Sequence, residues 1–553
     1  MTHRRYYYLV LCLVFFVHDL IPVEAHAFDM TQSDRTKTLY SNQLVFDRGG
    51  EPLVSIRITE AQSTISLRTS RPIRVMPNGT NAAQVELSRS SSWKFTLENA
   101  QPAKVRLWLR FGEAAANDFS TIKNLLSEAK ALGLPSKRFE SGSAMGLKGT
   151  MLDTRRIIIA VGPYSDMNAL ETARRALNHG RAAELGIFRE LLAPATGTII
   201  AKEGRTGMRI VAQDVIWLES AAKAPLIFDQ LEWGQGTPKR GISKRSYDGQ
   251  IYITVGQDGG LAAVNLLSAE RLLEGVVPSE LYTSAPMDAL RAQAVAARGQ
   301  LLAKIGTRHL ADPYLLCAET HCQVYTGLSR IHQRSSQAVS DTHGQLLFDK
   351  EGLVDTTYSS TCGGHSESFH LVWGGKPKAA HPGFRDKEKS VESVINHADI
   401  EAFIRSQPDS FCKKSGLKAK TYRWKKTVKG HRISKAVRAH RDVGDVVDFE
   451  VLKRGRSGRA LSVKYHGTNG QVVINGEYTN RKVLGHLKSA LWIVTDREGA
   501  REKEPRLWRF EGAGFGHGVG MCQHGAMGMA NSGHSWAAIL THYYRNSRLE
   551  KLW

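Results

Sequence analysis

The chain has 553 residues, 42% of them apolar, and its 75 Lys or Arg against 53 Asp or Glu give a formal net charge of +22. That length suits roughly two to four globular domains, each with its own core. Six cysteines over such a length exclude a small disulfide scaffold, which uses far more per residue.

Residues 1–27 carry Arg4 and Arg5, an apolar run from Tyr6 to Val17, a breaker at Pro22 and the small-x-small triplet Ala25-His26-Ala27. This is the pattern of a cleaved signal peptide. The run is too short to span a bilayer, and no later stretch approaches about 20 uncharged apolar residues. The mature protein is therefore expected to be exported, periplasmic or associated with the cell wall, with no transmembrane anchor. Cys12 follows Leu11 inside the run, where a lipoprotein signal would need a small residue, so no lipid anchor is expected. Cleavage leaves Cys317, Cys322, Cys362, Cys412 and Cys522.

Residues 28–103 form a β-rich N-terminal region, since LVSIRITEAQSTISLRT alternates apolar and polar positions and MPNGT reads as a turn. From 104 to 192 a strand-then-helix pattern occurs twice: VRLWLRF before DFSTIKNLLSEAKALG, and RIIIAVGPYSD before MNALETARRALNHG. Each helix runs to a Gly, the expected stop. This doubling predicts one small α+β domain. Residues 193–249 return to β-rich sequence with Gly and Pro turns, and a new unit opens at 250. The fold class expected for the whole is multidomain α+β, with a mixed C-terminal domain over 250–547.

Within that last unit, LLEGVVPSELYTSAPMDALRAQAVAARGQLLAK spans 272–304. Ser284 is a candidate N-cap, Pro286 suits a first turn and Asp288 the positive end of a helix. Leu290, Ala294, Ala297 and Leu301 then recur at helical spacing, so the helix is expected to be buried, with Arg291 and Arg298 near one another on a face. Glu280 is placed on the loop before it. A carboxyl held against an apolar helix has its pKa raised by desolvation, the environment of a general acid; a lone Glu before a helix is otherwise a capping or surface residue. Further on, GFGHGVGM holds four glycines in seven residues, which permits close backbone approach and sets His517 on a constrained turn. The basic window 413–459 has 16 Lys or Arg and 4 Asp or Glu, a net of +12. For an exported chain it reads as an insertion facing wall polyanions rather than nucleic acid, or as a solvated face with no specific partner.

Four blocks in order, VVPSEL with DALRAQAVAARGQL, HCQVYTG, YSSTCGGHSES and GFGHGVGMCQHGAMGMA, resemble the SpoIID/LytB family of sporulation stage II protein D and amidase enhancers. The resemblance covers about 250–547. It implies a lytic transglycosylase acting on peptidoglycan glycan strands with Glu280 as catalytic acid. It also implies a substrate cleft involving Arg298, Tyr358, Ser359, His365, His517 and Gln523, with Trp373 fitting a wall that stacks on sugar rings. For His517 a structural hydrogen-bonding role stands beside a ligand-contacting one. Gly299-Gln300 departs from the family's usual Thr-Tyr. In some members two Cys and two His bind a structural zinc; here His309, Cys317, His321 and Cys322 are the candidates, against a Cys317–Cys322 disulfide. Cys362 and Cys522 lie in cleft motifs and are candidates to pair, leaving Cys412 as the odd thiol. The segment AVGPYSDMNALETARRALNHG resembles the second half of a SPOR domain, a peptidoglycan-binding module, although a plain βαβ packing unit fits as well. Two other readings stand: a non-catalytic wall-binding module that enhances a cell-wall amidase, and a Cys-His hydrolase built from Cys362 or Cys522 with His365, His517 or His524.

Overall fold

The computed structural model of the chain describes residues 35, 38–41, 44–47, 49–78, 85–87, 89–147, 149–177, 185–221, 224–234, 240–389, 393–416, 421–499 and 503–553. The signal peptide expected over 1–27, with Cys12, lies outside them.

The apolar alternation read in the N-terminal and connecting regions builds two large sheets. One runs in the order Val45–Phe46, Pro52–Gln62, Leu261–Ser268, Gln250–Val255, Val215–Ser220, Ile73–Pro77, Val85–Leu87, with Leu316–Cys317 added in parallel to Pro52–Gln62. The other runs Arg209–Gln213, Thr196–Glu203, Ser91–Gln101, Thr64–Thr69, Leu226–Trp233, Gly241–Tyr247. Strands from 45–101 thus interleave with strands from 196–268, and Ile56 sits opposite Asn265. The boundaries expected at 103 and 249 do not separate folding units, because Val54, Ile56, Trp93, Phe95, Ile199 and Ile253 share one core with the helices that follow. Burial across both sheets, rather than chain proximity, sets the domain.

The doubled segment folds as a unit of its own. Strand β1 (Lys104–Ala115), helix α1 (Phe119–Ala131), strands β2 (Ser136–Ser141) and β3 (Arg156–Tyr164), helix α2 (Met167–Leu177) and strand β4 (Gly186–Ala193) form a βαββαβ fold. Its antiparallel sheet has the order β4-β1-β3-β2. The Asp118 side chain caps α1 by accepting from Thr121 N at 3.1 Å, and the chain turns at Gly133. Because side chains alternate along a strand, Leu109 and Phe111 pack under the helices with Ile122, Ala129 and Leu170. Trp108, Ile158, Ala160 and Phe188 face the other way and meet Leu310 of the C-terminal domain.

In that domain α3 (Ala269–Glu280) begins at Ser268, whose side chain accepts from Arg271 N. Helix α4 (Met287–Lys304) follows, with twelve buried residues. Ser284 does not cap it: the helix starts after Pro286 with no side-chain cap, and Asp288 Oδ1 instead accepts from Trp536 N at 3.1 Å. Tyr358 and Ser359 pair in parallel with Met521 and Cys522, so the intervening chain is an insertion between neighbouring strands. It is larger than the basic window 413–459. Strands Arg423–Lys429, Leu507–Ala513 and Trp492–Glu498 form one sheet, and Val446–Arg454, Ala460–Gly467 and Gly470–Asn475 another. Their apolar faces close a separate core around Trp424, Ile433, Val463, Tyr465, Trp508 and Phe510. After the insertion come α5 (Gln523–Asn531) and α6 (Trp536–Tyr543). Among the described residues no helix is long and apolar enough to cross a membrane.

Candidate active site

Glu280 is the last residue of α3 rather than part of a loop. Burial pushes its carboxyl up, against a main-chain hydrogen bond at Val324 and the nearby charge of Lys304, which pull the other way. Its place at the carbonyl end of a helix also disfavours the anion. The Gln523 side-chain amide fixes this corner, donating to the Glu280 carbonyl at 2.9 Å and to Gln293 Oε1 at 3.2 Å. Tyr358 is buried beside them; burial raises its hydroxyl pKa and the Glu280 charge adds to the effect. Lys304, at the end of α4, is pushed down to about 8 by burial and by the charge of Arg308. Its Nζ donates to the Cys322 carbonyl.

The glycine-rich loop forms the facing wall. Gly514, Gly516, Gly518 and Gly520 all have positive φ, a backbone closed to most side chains. His517 is pushed down to about 3 by burial and the charges of Arg481 and Arg459, so its imidazole is neutral. Nδ1 accepts from Val519 N at 3.0 Å, and the ring also bonds the Tyr358 main chain. Of the two roles expected for His517, the structural one is thereby filled. Its ring packs on Trp373 with centroids 4.8 Å apart, and Trp373 remains 42% exposed, as a sugar-stacking wall requires. The Ser359 hydroxyl is buried without a hydrogen-bond partner among the described residues.

Two expected cleft residues lie elsewhere. Arg298 is wholly buried, and its guanidinium grips Glu270 in a fork at 2.8 and 2.6 Å. Trp553 Nε1 donates to the same carboxylate at 2.9 Å. Arg298 therefore stitches α4 to α3 and, through Glu270, to Trp553. An Arg298→Met variant leaves Glu270 buried without its cation, at a cost of about 3–5 kcal/mol. Urea unfolding should show that loss; unchanged stability with a raised KM would return Arg298 to the cleft. His365 is also fully buried, with Nδ1 2.7 Å from the Ser366 carbonyl and Nε2 2.9 Å from Ser393 Oγ. Burial holds it down to about 4, a neutral core histidine. Arg291, expected near Arg298 on one face, bonds Asp341 at 2.8 Å on the outside.

Sequence reasoning missed Gln293 and Lys304. Their signal was present, since Gln293, Gln300 and Lys304 fall on one stripe of the helix. The Gly299 departure has a local reason: a Cβ there would fall 2.4 Å from Thr356 Oγ1, which donates to the Ala296 carbonyl at 2.6 Å.

The thiols make two clusters. His309, Cys317, His321 and Cys322 bring four ligand atoms within 4.8 Å of one another. Cys322 Sγ is 3.3 Å from His309 Nε2 and 3.6 Å from His321 Nδ1, and Cys317 Sγ is 3.6 Å from His321 Nδ1. Both sulfurs are free thiols. Cys362 and Cys522 meet, but Cys412 is not left over: it lies 3.8 Å from Cys362, sulfur to sulfur. All three are buried, which argues against a thiol nucleophile open to substrate.

Residues 257–348 match the family model for Stage II sporulation protein, and residues 367–520 match a domain of unknown function, DUF8618. Stage II sporulation protein D of Bacillus subtilis is 22% identical over 326 residues, covering 54% of this chain and 78% of that protein. Over the segment that carries Glu280 the chain is similar to the SpoIID/LytB family. The amidase enhancer of Bacillus subtilis is 26% identical over 296 residues, half of this chain but only 40% of that protein. An uncharacterized protein of Brachyspira hyodysenteriae is 26% identical over 347 residues, 63% of this chain and 80% of the relative. The SpoIID match holds α3, α4 and the four-ligand cluster, while the second match covers nearly all of the insertion.

Proposed function

We propose that this protein is an exported lytic transglycosylase acting on peptidoglycan glycan strands stripped of stem peptides. The observation that carries the reading is the half-buried carboxyl of Glu280, whose pKa is raised by desolvation, with Lys304 nearby. Glu280 protonates the oxygen between N-acetylmuramic acid and N-acetylglucosamine. As the bond breaks, the carboxylate takes the proton of the muramic C6 hydroxyl while that oxygen closes on C1. The product is a 1,6-anhydro end. The nucleophile belongs to the substrate, so one protein carboxyl suffices where hydrolases use two. Gln523 positions Glu280 through its carbonyl, Trp373 stacks on a sugar ring, and Lys304 and Arg481 attract the lactyl carboxylates of the strand.

The same carboxyl predicts a conflict between stability and activity. A folded-state pKa raised above the unfolded value contributes stability below the unfolded pKa, lost as pH rises through the folded one. Above the usual carboxylate range the raised pKa therefore makes Glu280 a destabilising group. Glu280→Gln should melt higher than wild type near neutral pH, with the difference vanishing in acid, while cleavage is lost. A variant that melts lower at neutral pH would contradict the buried-acid reading.

His309, Cys317, His321 and Cys322 fit one structural zinc. Two thiolates and two imidazoles are a usual donor set, and a tetrahedron with their bond lengths has edges of about 3.5 Å, close to the separations between these atoms. Asp312 Oδ2 lies 2.8 Å from His309 Nδ1, the carboxylate partner that orients a metal-bound histidine. Closed on all sides, such a site holds shape and takes no part in the reaction. The βαββαβ unit over 104–192 serves in this reading as a SPOR-like glycan-binding module, and the basic insertion faces wall polyanions.

A second reading rests on the match to the amidase enhancer: a wall-binding module that stimulates a cell-wall amidase without cutting glycan. Glycan-strand binding with no cleavage by wild type, and faster amidase turnover on its addition, would favour it.

A further inference from the structure

We propose a second metal site, distinct from the His309 cluster, formed by Cys362, Cys412, Cys522 and Asp386. It would hold a zinc-class divalent cation with three thiolates and one carboxylate, and would fasten the insertion to the SpoIID core.

The four residues come from separate parts of the chain, yet their ligand atoms lie within 4.8 Å of one another. All are buried, at 0% exposure for Cys362, Cys522 and Asp386 and 1% for Cys412. Sulfurs on a tetrahedral zinc with bonds of about 2.3 Å stand about 3.8 Å apart. Cys362 and Cys412 Sγ are 3.8 Å apart, well beyond the ~2.05 Å of a disulfide. Three converging thiols would also leave one unpaired in any disulfide.

Outer contacts are those that metal ligands need. Cys522 Sγ accepts main-chain N–H groups from Cys362 and Gly525, each at 3.2 Å, at the start of α5 where the helix dipole favours a thiolate. Asp386 Oδ1 accepts from the Tyr543 hydroxyl at 2.7 Å. Oδ2 accepts from Cys412 N at 3.0 Å and lies 3.5 Å from Cys362 Sγ. His542 Nε2 stands 3.6 Å from Oδ1, the oxygen turned from the thiols. Nothing larger than Gly fits at 525, where a Cβ would stand 2.9 Å from Asp386 Oδ2 and collide with the Tyr543 hydroxyl. A dry pocket of one carboxylate and three thiols is costly without a cation, and a divalent metal removes that cost.

The placement gives the site a task. Cys362 and Cys522 adjoin the paired strands on either side of the insertion, whereas Asp386 and Cys412 lie within it. A metal here would bind the insertion to the strands that carry Tyr358 and the glycine-rich loop.

The test is metal content of the purified full chain by mass spectrometry, for wild type and Cys412→Ser, with peptide mapping without reductant. We expect Cys412→Ser to carry one equivalent less than wild type, and the three wild-type thiols to be free of disulfides. Should Cys412→Ser fail to fold, zinc X-ray absorption of wild type replaces it. More than two sulfur donors per metal on average supports the three-thiolate site, because the His309 cluster supplies only two. Equal metal in wild type and Cys412→Ser, an average of two sulfurs or fewer, or a disulfide among Cys362, Cys412 and Cys522 would overturn the proposal.

Discussion

Glu280→Gln is expected to lower the rate of glycan-strand cleavage by at least about a hundredfold, since a positioned acid-base group contributes about 10²–10⁴. The amide keeps the shape of the carboxyl and cannot deliver a proton. Strand affinity should stay near that of wild type, because the proposed stacking and charge contacts come from Trp373, Lys304 and Arg481. The Gln523 bond goes to the Glu280 carbonyl, not its side chain, so the corner survives the change. Single-turnover assays paired with a pull-down on insoluble strands would separate the two effects. Cleavage that persists within a few-fold of wild type would remove Glu280 from the chemistry.

Removing metal from the His309 cluster should have the second largest effect. The chain from 305 to 325 has little regular structure beyond the Leu316–Cys317 strand. It runs from the end of α4 to Val324, the main-chain partner of Glu280, and Lys304 and Arg308 donate to the carbonyls of Cys322 and His321. A zinc at a thousandfold excess over its Kd adds about 4 kcal/mol to stability. Chelation, or Cys317→Ser, should therefore lower the melting temperature and reduce cleavage together. Asp312→Asn should weaken metal binding by about 10- to 100-fold and leave the chain folded when zinc is supplied. If chelation changes neither melting nor activity, these four residues hold no structural metal.

Glu280, Tyr358 and Gln523, which the sequence marks in short separate blocks, lie together in the structure. The twice-repeated strand and helix likewise gave the βαββαβ unit, since each half is a local pattern. Arg298 and His365 lie in equally well-marked motifs, yet both face inward. A motif places a residue along the chain, but the direction of its side chain depends on partners such as Glu270, 28 positions away. The same limit hid the mixing of N-terminal strands with strands beyond 196, a long-range pairing that no window of sequence contains. Cys412 was unreadable as a neighbour of Cys362 because 50 residues separate them, including part of a domain with its own core.

The most direct test of the central claim is the mass of the new sugar ends made when the purified mature protein cuts peptide-free glycan strands. A lytic transglycosylase leaves 1,6-anhydro-muramic ends, one water lighter than the reducing ends left by a hydrolase. The account predicts anhydro ends, absent from digests with Glu280→Gln. Reducing ends, or intact strands on which the protein is nonetheless bound, would contradict it.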